Sequence, residues 1–206
     1  MQTKLIIADD HEIVRNGLCR LFESDSQYQV ISAVANAKKL IEQCQQKLPD
    51  LVIIDLSMPG MGGVELIRRL QLKWPLLKIV VFSIYQNPQL VQKLFEMGVV
   101  GYVSKSCSTK VILSCIAAIV KGETFISPDI NINIKNSSSL SKLSAREFDI
   151  FCCVGRGLTS KQISEKLFLS EKTIANNISL IKKKLNVITQ AEMLHTALIE
   201  GVLFSD

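Results

Sequence analysis

The residues able to do chemistry fall in one repeating place, immediately after short apolar runs. Lys4-Leu5-Ile6-Ile7-Ala8 ends in Asp9-Asp10, and Leu51-Val52-Ile53-Ile54 ends in Asp55. Lys78 to Phe82 ends at Ser83, and Gly101-Tyr102-Val103-Ser104 ends at Lys105. Such runs read as strands buried on both faces of a parallel sheet. In open α/β sheets, ligands sit outside the carboxyl ends of the strands, so these groups should crowd one edge. Three carboxylates placed together repel one another, and each raises the others' pKa unless a cation intervenes. A hard, oxygen-seeking ion such as Mg²⁺ is the natural remedy, held by carboxylates, a backbone carbonyl and water. Lys105 adds a mobile positive charge suited to a phosphoryl oxygen. An Asp that merely caps the following helix would explain Asp55 alone. It would not explain acidic pair, lone Asp, hydroxyl and Lys in this order.

The elements that must position these groups alternate. Strands are expected at 4–8, 30–34, 51–55, 78–83 and 101–105. Helices are expected at 11–23, 37–47, after Pro59-Gly60 and Gly62-Gly63, at 89–97 and at 109–120. In the first helix Ile13, Val14, Leu18, Leu21 and Phe22 share one side. Five β-α units argue an α/β fold, a doubly wound five-stranded parallel sheet with right-handed crossovers.

From Lys121 to Lys142 the pattern breaks into a polar connector containing Ser137-Ser138-Ser139. The spacing of Ile130, Ile132 and Ile134 leaves a short strand or a docked segment open. Beyond it, Ser144-Ala145-Arg146-Glu147 and Thr159-Ser160-Lys161-Gln162 are capping boxes that open two helices. Phe168-Leu169-Ser170 makes a tight connection to a third helix over 171–185. There Ile174, Ile178, Ile181 and Leu185 form one stripe. Its other side carries Lys172, Thr173, Ala175, Asn176, Asn177, Ser179, Lys182 and Lys183. Residues 190–201 suit a fourth helix with Ala191, Leu194 and Leu198 on one side. Helix, short turn, then helix with a basic outer face is the layout of a helix-turn-helix reader of the major groove. A small helical bundle that binds protein has the same spacing.

The bulk properties fit two small domains. The chain has 206 residues, 48% of them hydrophobic, and no stretch resembles a signal peptide or a membrane span. Cys19, Cys44, Cys107, Cys115, Cys152 and Cys153 show no metal spacing and read as small hydrophobes in a reducing cytoplasm. The formal charge of +5 permits nucleic acid without demanding it. The charge gathers in the third carboxy-terminal helix, where four lysines face Glu171 alone.

Asp9-Asp10, Asp55 through Gly60, Ser83 and Gly101 through Lys105 resemble the receiver domain of two-component response regulators. That resemblance covers residues 1–120, with 121–140 as linker. It implies that Asp55 is the phosphoacceptor. It also implies that Asp10, Asp55 and the Ser57 carbonyl hold Mg²⁺ with Asp9 assisting, that Lys105 pairs with the phosphoryl group, and that Ser83 and Tyr102 form the switch. The chemistry agrees, because a carboxylate attacks an anionic phosphoryl group poorly until metal and Lys neutralise the charge. Ser106 departs from the pattern, since many receivers have Pro there.

Leu143 through Glu147, Gly157 through Ile163, Leu169 through Ile174 and Lys184 through Val187 are similar to LuxR-type DNA-binding domains, over 141–206. The pair is the layout of the NarL/FixJ group. Ser57 through Gly63 and Gly101 through Lys105 are most similar to its GacA/UvrY branch. The resemblance implies a sensor histidine kinase partner, promoter DNA bound as a homodimer, and no separate substrate turnover. By it Lys161, Lys172, Lys182 and Lys183 meet phosphates, Thr173 and Ala175 lie at the reading face, and Asn176 or Asn177 pairs with adenine. Many members carry Lys and His where Ala175 and Asn177 stand. That departure keeps an atypical regulator, acting through protein contacts or without phosphorylation, as the alternative. An Asp-nucleophile phosphatase would want a carboxylate at Ser57, and a flavin site would not tolerate Asp9-Asp10.

Overall fold

The computed structural model describes residues 2–59, 61–130 and 139–199. The first part runs β1 (Thr3–Ala8), α1 (Glu12–Glu23), β2 (Tyr28–Val34), α2 (Ala37–Gln46), β3 (Leu51–Ile54), α3 (Gly63–Lys73), β4 (Lys78–Ser83), α4 (Pro88–Glu96), β5 (Gly101–Ser104), α5 (Thr109–Val120) and β6 (Phe125–Ile126). A 3-10 helix at Ser139–Lys142 leads into α6 (Ala145–Gly155), α7 (Ser160–Leu167), α8 (Glu171–Leu185) and α9 (Gln190–Ile199).

The sheet is parallel throughout, in the order β2-β1-β3-β4-β5-β6. Its centre is β3, whose four residues are all buried, as an unbroken Leu-Val-Ile-Ile run requires. Leu5, Ile7, Leu51 and Ile53 face one side, against Leu18 and Phe22 of α1 and Ile112 and Ile116 of α5. Ile6, Val52, Ile54 and Val81 face the other, against α2, α3 and α4. The alternation of strand side chains thus fills two helical layers from one sheet.

Three details differ from the expectations. The five core strands are joined by a sixth, β6, which pairs with β5 through Phe125 and Ile126 inside the stretch read as connector. Two residues are too short to show a period, so only the pairing reveals the strand. Ile130 is buried, while 131–138, with Ile132 and Ile134, lie outside the described residues. In α1, Ile13 is 88% exposed, and Leu18 and Phe22 do the packing. In α9 the buried side is Met193 and Ala197 rather than Ala191 and Leu194, because α9 is apolar on two sides and its packing against α6 selects one.

Both capping boxes form. Ser144 Oγ accepts from Glu147 N at 3.3 Å while Ser144 N donates to Glu147 at 2.7 Å. Thr159 and Gln162 exchange the same pair at 3.3 and 2.8 Å. Helix α7 ends at Phe168 in the left-handed region, with φ of 53°.

The close approach of α3 to β3 sets a stability test. A Cβ on Gly63 would lie 2.5 Å from Leu56 Cα, whereas one on Gly17 in exposed α1 meets nothing within 4 Å. Gly63→Ala is expected to destabilise by about 1–3 kcal/mol through overpacking. Gly17→Ala should stabilise by about 0.4–1 kcal/mol by restricting the unfolded chain. Urea denaturation of the two variants checks both signs.

Candidate functional site

Backbone hydrogen bonds between strand ends fix the acidic edge. Asp55 N donates to Ala8 O at 2.8 Å, Asp9 N to Val34 O at 3.1 Å, and Lys105 N to Ser83 O at 2.8 Å. Asp9, Asp10, Asp55, Ser83 and Lys105 therefore leave the sheet side by side, as their positions after each strand require. Lys105 Nζ lies 2.8 Å from Asp9 Oδ2 and 2.9 Å from Asp55 Oδ2. Ser57 N donates to Asp55 Oδ1 at 3.1 Å, which holds the loop after β3 against its own carboxylate. Burial pushes the Asp55 carboxyl above the usual range, and the Lys105 ammonium works against that shift.

One group here escaped the sequence reading. The His11 ring nitrogen Nδ1 stands 3.2, 3.0 and 3.8 Å from oxygens of Asp9, Asp10 and Asp55. Its place directly after Asp9-Asp10 was the available signal. The four side chains each offer one ligand atom, and these atoms lie within 4.8 Å of one another. Asp10 Oδ1 is buried with only the His11 ring nitrogen beside it, and Asp9 Oδ2 has only its ion pair with Lys105. Carboxylates left in that condition fit a divalent cation.

Ser83 is fully buried, with its hydroxyl accepting from Tyr85 N at 3.2 Å. Tyr102 is also fully buried and donates to Tyr85 O at 2.6 Å. The ring thus sits inward, and Tyr85 connects the two groups read as a switch. The Lys105–Ser106 peptide is trans. Ser106, in the place of the usual Pro, joins a polar cluster. Gln86 Nε2 shares its two hydrogens among Ser104, Ser106 and Asp129, at 2.9, 2.9 and 3.0 Å, tying the loop after β4 to the end of β5 and the segment after β6.

The feature most distant from the sequence reading is the seam between the two parts. Every residue of α6 from Glu147 to Gly155 is buried. A helix apolar on all sides must be covered on all sides. One side meets α8 and α9, and the other lies on α3. At this seam Asp149 accepts from the first amides of α3, Val64 N and Glu65 N, at 3.4 Å each. The amino end of α3 has no cap of its own, since Gly62 stands there, and Asp149 supplies one from the other domain. A Cβ on Gly62 would come within 1.9 Å of the Asp149 carboxylate. Arg156, just past α6, donates to Ser57 Oγ at 2.9 Å and to the Tyr85 hydroxyl, with its guanidinium 5.4 Å from the Tyr85 ring centre. Lys93 of α4 donates to the Leu143 carbonyl. An acid amid the run Phe148 to Val154 was the one legible sign of this seam.

The face of α8 read as DNA-binding is open. Lys161, Lys172, Ala175, Asn176 and Lys183 are exposed, and Thr173, Asn177 and Lys182 are half-buried. Asn177 Nδ2 donates to Thr173 O at 2.8 Å, so its amide is held by its own helix and Asn176 is left as the freer one. Lys184 reaches inward to Glu147 at 2.6 Å. Burial raises the Glu147 carboxyl, and Lys184 and Ser144 more than reverse that.

Burial pushes Asp149 up to about 7 against the α3 amides that lower it. A raised folded-state pKa means the native form holds a proton that the unfolded chain has lost, so stability falls as pH rises from about 4 toward 7 and is level above. Between pH 5.5 and 8 this amounts to about 2 kcal/mol. Urea midpoints at pH 5.5 and 8 should show that loss in the parent protein. Asp149→Asn should remove most of it.

Comparison with known proteins follows the same division. Residues 5–117 match the response regulator receiver domain family, and residues 141–197 match the luxR family of bacterial regulatory proteins. The response regulator UvrY of Escherichia coli is 29% identical over 206 residues, covering 96% of this chain and 94% of that one. The transcriptional activator protein ExaE of Pseudomonas putida is 28% identical, covering 97% of each. Among solved structures, RcsB from Salmonella enterica serovar Typhimurium, bound to a promoter with phosphomimetic BeF3-, superposes with a TM-score of 0.75 at 26% identity, covering 95% of this chain and 98% of that one.

Proposed function

The chain belongs to the two-component response regulators that join a receiver to a LuxR-type helix-turn-helix, the NarL/FixJ arrangement, and from that membership we propose that phosphorylation of Asp55 governs its hold on promoter DNA. The observation that carries this reading is continuity. Asp55 is bonded to Ser57, and Ser57 is bonded to Arg156 of the DNA-binding part.

Residues 1–120 together with β6 serve as receiver, the rest of 121–140 as linker and 141–206 as reader. Mg²⁺ would be held by Asp10, Asp55 and the Ser57 carbonyl, with Asp9 assisting. When bound, it neutralises charge on the incoming phosphoryl group. Asp55 supplies the attacking oxygen, already aligned by Ser57 N and desolvated by burial. Lys105, now paired with Asp9 and Asp55, turns to the phosphoryl oxygens. Ser83 donates its hydroxyl to the phosphoryl group. Turning toward that group carries the Ser83 oxygen away from Tyr85 N and frees the loop that carries Tyr85 and contacts Tyr102. Arg156 then loses the geometry of both its acceptors, and the seam opens. A sensor histidine kinase is the donor, the compartment is the cytoplasm, and two copies on DNA match a two-fold operator. Among the described residues no helix is long and apolar enough to cross a membrane. An RcsB structure is described as two dimers bound to two parallel DNAs, which supports the paired arrangement here.

The test uses a small acyl phosphate with Mg²⁺. The parent protein should gain one phosphoryl group in mass and bind its promoter more tightly. Asp55→Asn should do neither. Arg156→Gln removes a charge-assisted pair of hydrogen bonds, about 2 kcal/mol. It should therefore raise basal DNA binding by up to about 30-fold without the donor. Uptake of phosphate by Asp55→Asn, with an unchanged response, would refute the assignment.

The recognition helix makes a separate prediction. Asn176→Ala should cost about 1–3 kcal/mol at one A·T pair and relax specificity there. Lys183→Ala should weaken all sequences alike and lower the salt slope by about one. Binding to operator variants across a salt series reads both.

A further inference from the structure

Between the two domains lies a cleft of about 660 Å³ that the phosphorylation chemistry leaves without a role. Its size falls within the range of small-molecule sites, which favour domain interfaces. One wall is Met61 of the receiver, and the facing wall is Leu167, Phe168 and Leu169, where α7 turns toward α8. Phe168 is 82% exposed and holds a φ of 53°. A turn of that geometry is cheapest with Gly or Asn, so a large apolar ring there is a costly choice that packing does not explain.

The charge in the cleft is unbalanced. Lys38 of α2 and Arg146 of α6 line it, and neither forms an ion pair or side-chain hydrogen bond among the described residues. The two carboxylates that also line it are occupied. Glu65 is gripped by Arg68 and by Arg69, which also lines the cleft, each at 2.9 Å, and Asp149 faces the amides of α3 while feeling the Arg146 charge, so one net positive charge is left over. An apolar wall of flexible side chains beneath two cations without a close partner, Arg146 acting on Asp149 only at a distance, suits a molecule with one anionic head and an aliphatic body.

We propose that this cleft binds a medium-chain aliphatic carboxylate, its head between Lys38 and Arg146 and its chain against Met61, Leu167 and Phe168. Because each domain supplies part of the wall, the bound molecule favours the compact arrangement over the open one. Binding does not require phosphorylation, so the site stands or falls apart from the Asp55 chemistry.

The experiment is calorimetric titration of decanoate, below its micelle concentration, into the full-length protein. Saturable binding at one site is expected. The double substitution Lys38→Gln with Arg146→Gln should weaken it at least tenfold, and Phe168→Ala, at an exposed position, several-fold. Thermal unfolding of each variant should stay cooperative, which separates lost binding from lost folding. Decanol, with the same chain and no charge, should bind at least tenfold more weakly than decanoate, and so should inorganic phosphate. Absence of saturable decanoate binding would overturn the proposal. So would decanoate affinity unmoved by these substitutions, or decanol binding as tightly as decanoate.

Discussion

Three carboxylates at one sheet edge, with a single ammonium drawn between two of them, set the terms for the rest of the molecule. Asp9 and Asp55 are each about 1% exposed, so water does little to screen them. Their proximity is imposed by strand order, because β1 and β3 are neighbours and both run toward the same edge. Lys105 offsets part of the repulsion and arrives from β5, two strands away, across β4. The remaining negative charge makes the edge receptive to a cation and then to a phosphoryl group. A site of this kind subtracts from stability, and the saturated apolar packing of β1, β3 and β4 on both faces compensates for it.

The second constraint is that α6 cannot exist alone. Its buried run from Glu147 to Gly155 belongs to an apolar cluster continuous with one face of the receiver sheet. The two domains therefore share a core in this arrangement rather than hanging from a flexible connector. Polar groups then fix the register of that contact. Asp149 caps α3 from outside its own domain, and Arg156 reaches the loop two residues beyond Asp55. Apolar burial supplies affinity without direction, whereas these bonds hold only at one register of the two parts. Packed interfaces of this kind tend to switch between discrete arrangements rather than deform continuously, which is what a chemical switch needs.

Much of this was legible in the order of residues. Strand ends could be read because a parallel sheet buried on both faces is written in unbroken branched apolar runs, and the polar residue closing each run is visible. Both capping boxes and the reading helix followed from equally local signals. The sixth strand did not, since Phe125-Ile126 has no period and is defined only by its partner. Nor did the packed side of α9, where local pattern offers two stripes and only α6 chooses between them. Arg156 and Tyr85 lie 71 positions apart and meet through tertiary packing, which single-sequence spacing does not encode. Asp149 went unread as well: an acid inside an apolar helix must find donors, but only the fold brings the uncapped start of α3 to it.

The place of the seam also limits how the output can be controlled. Contact between the domains runs through α6 and α3, while Lys172, Ala175, Asn176 and Lys183 of α8 remain exposed to solvent. Uncovering those side chains is therefore not what a change at the receiver has to accomplish. Under the proposed function, what differs between the compact form and an open one is where the receiver lies relative to the duplex and to a second copy. A single helix-turn-helix contacts one half-site, and its phosphate contacts alone carry little discrimination. Affinity and specificity rise steeply only when two such readers are held at the spacing of the operator, where the second binds at high effective concentration. Under the proposed function, control acts on the geometry of pairing, and the bonds of Asp149 and Arg156 restrain that geometry rather than the reading surface.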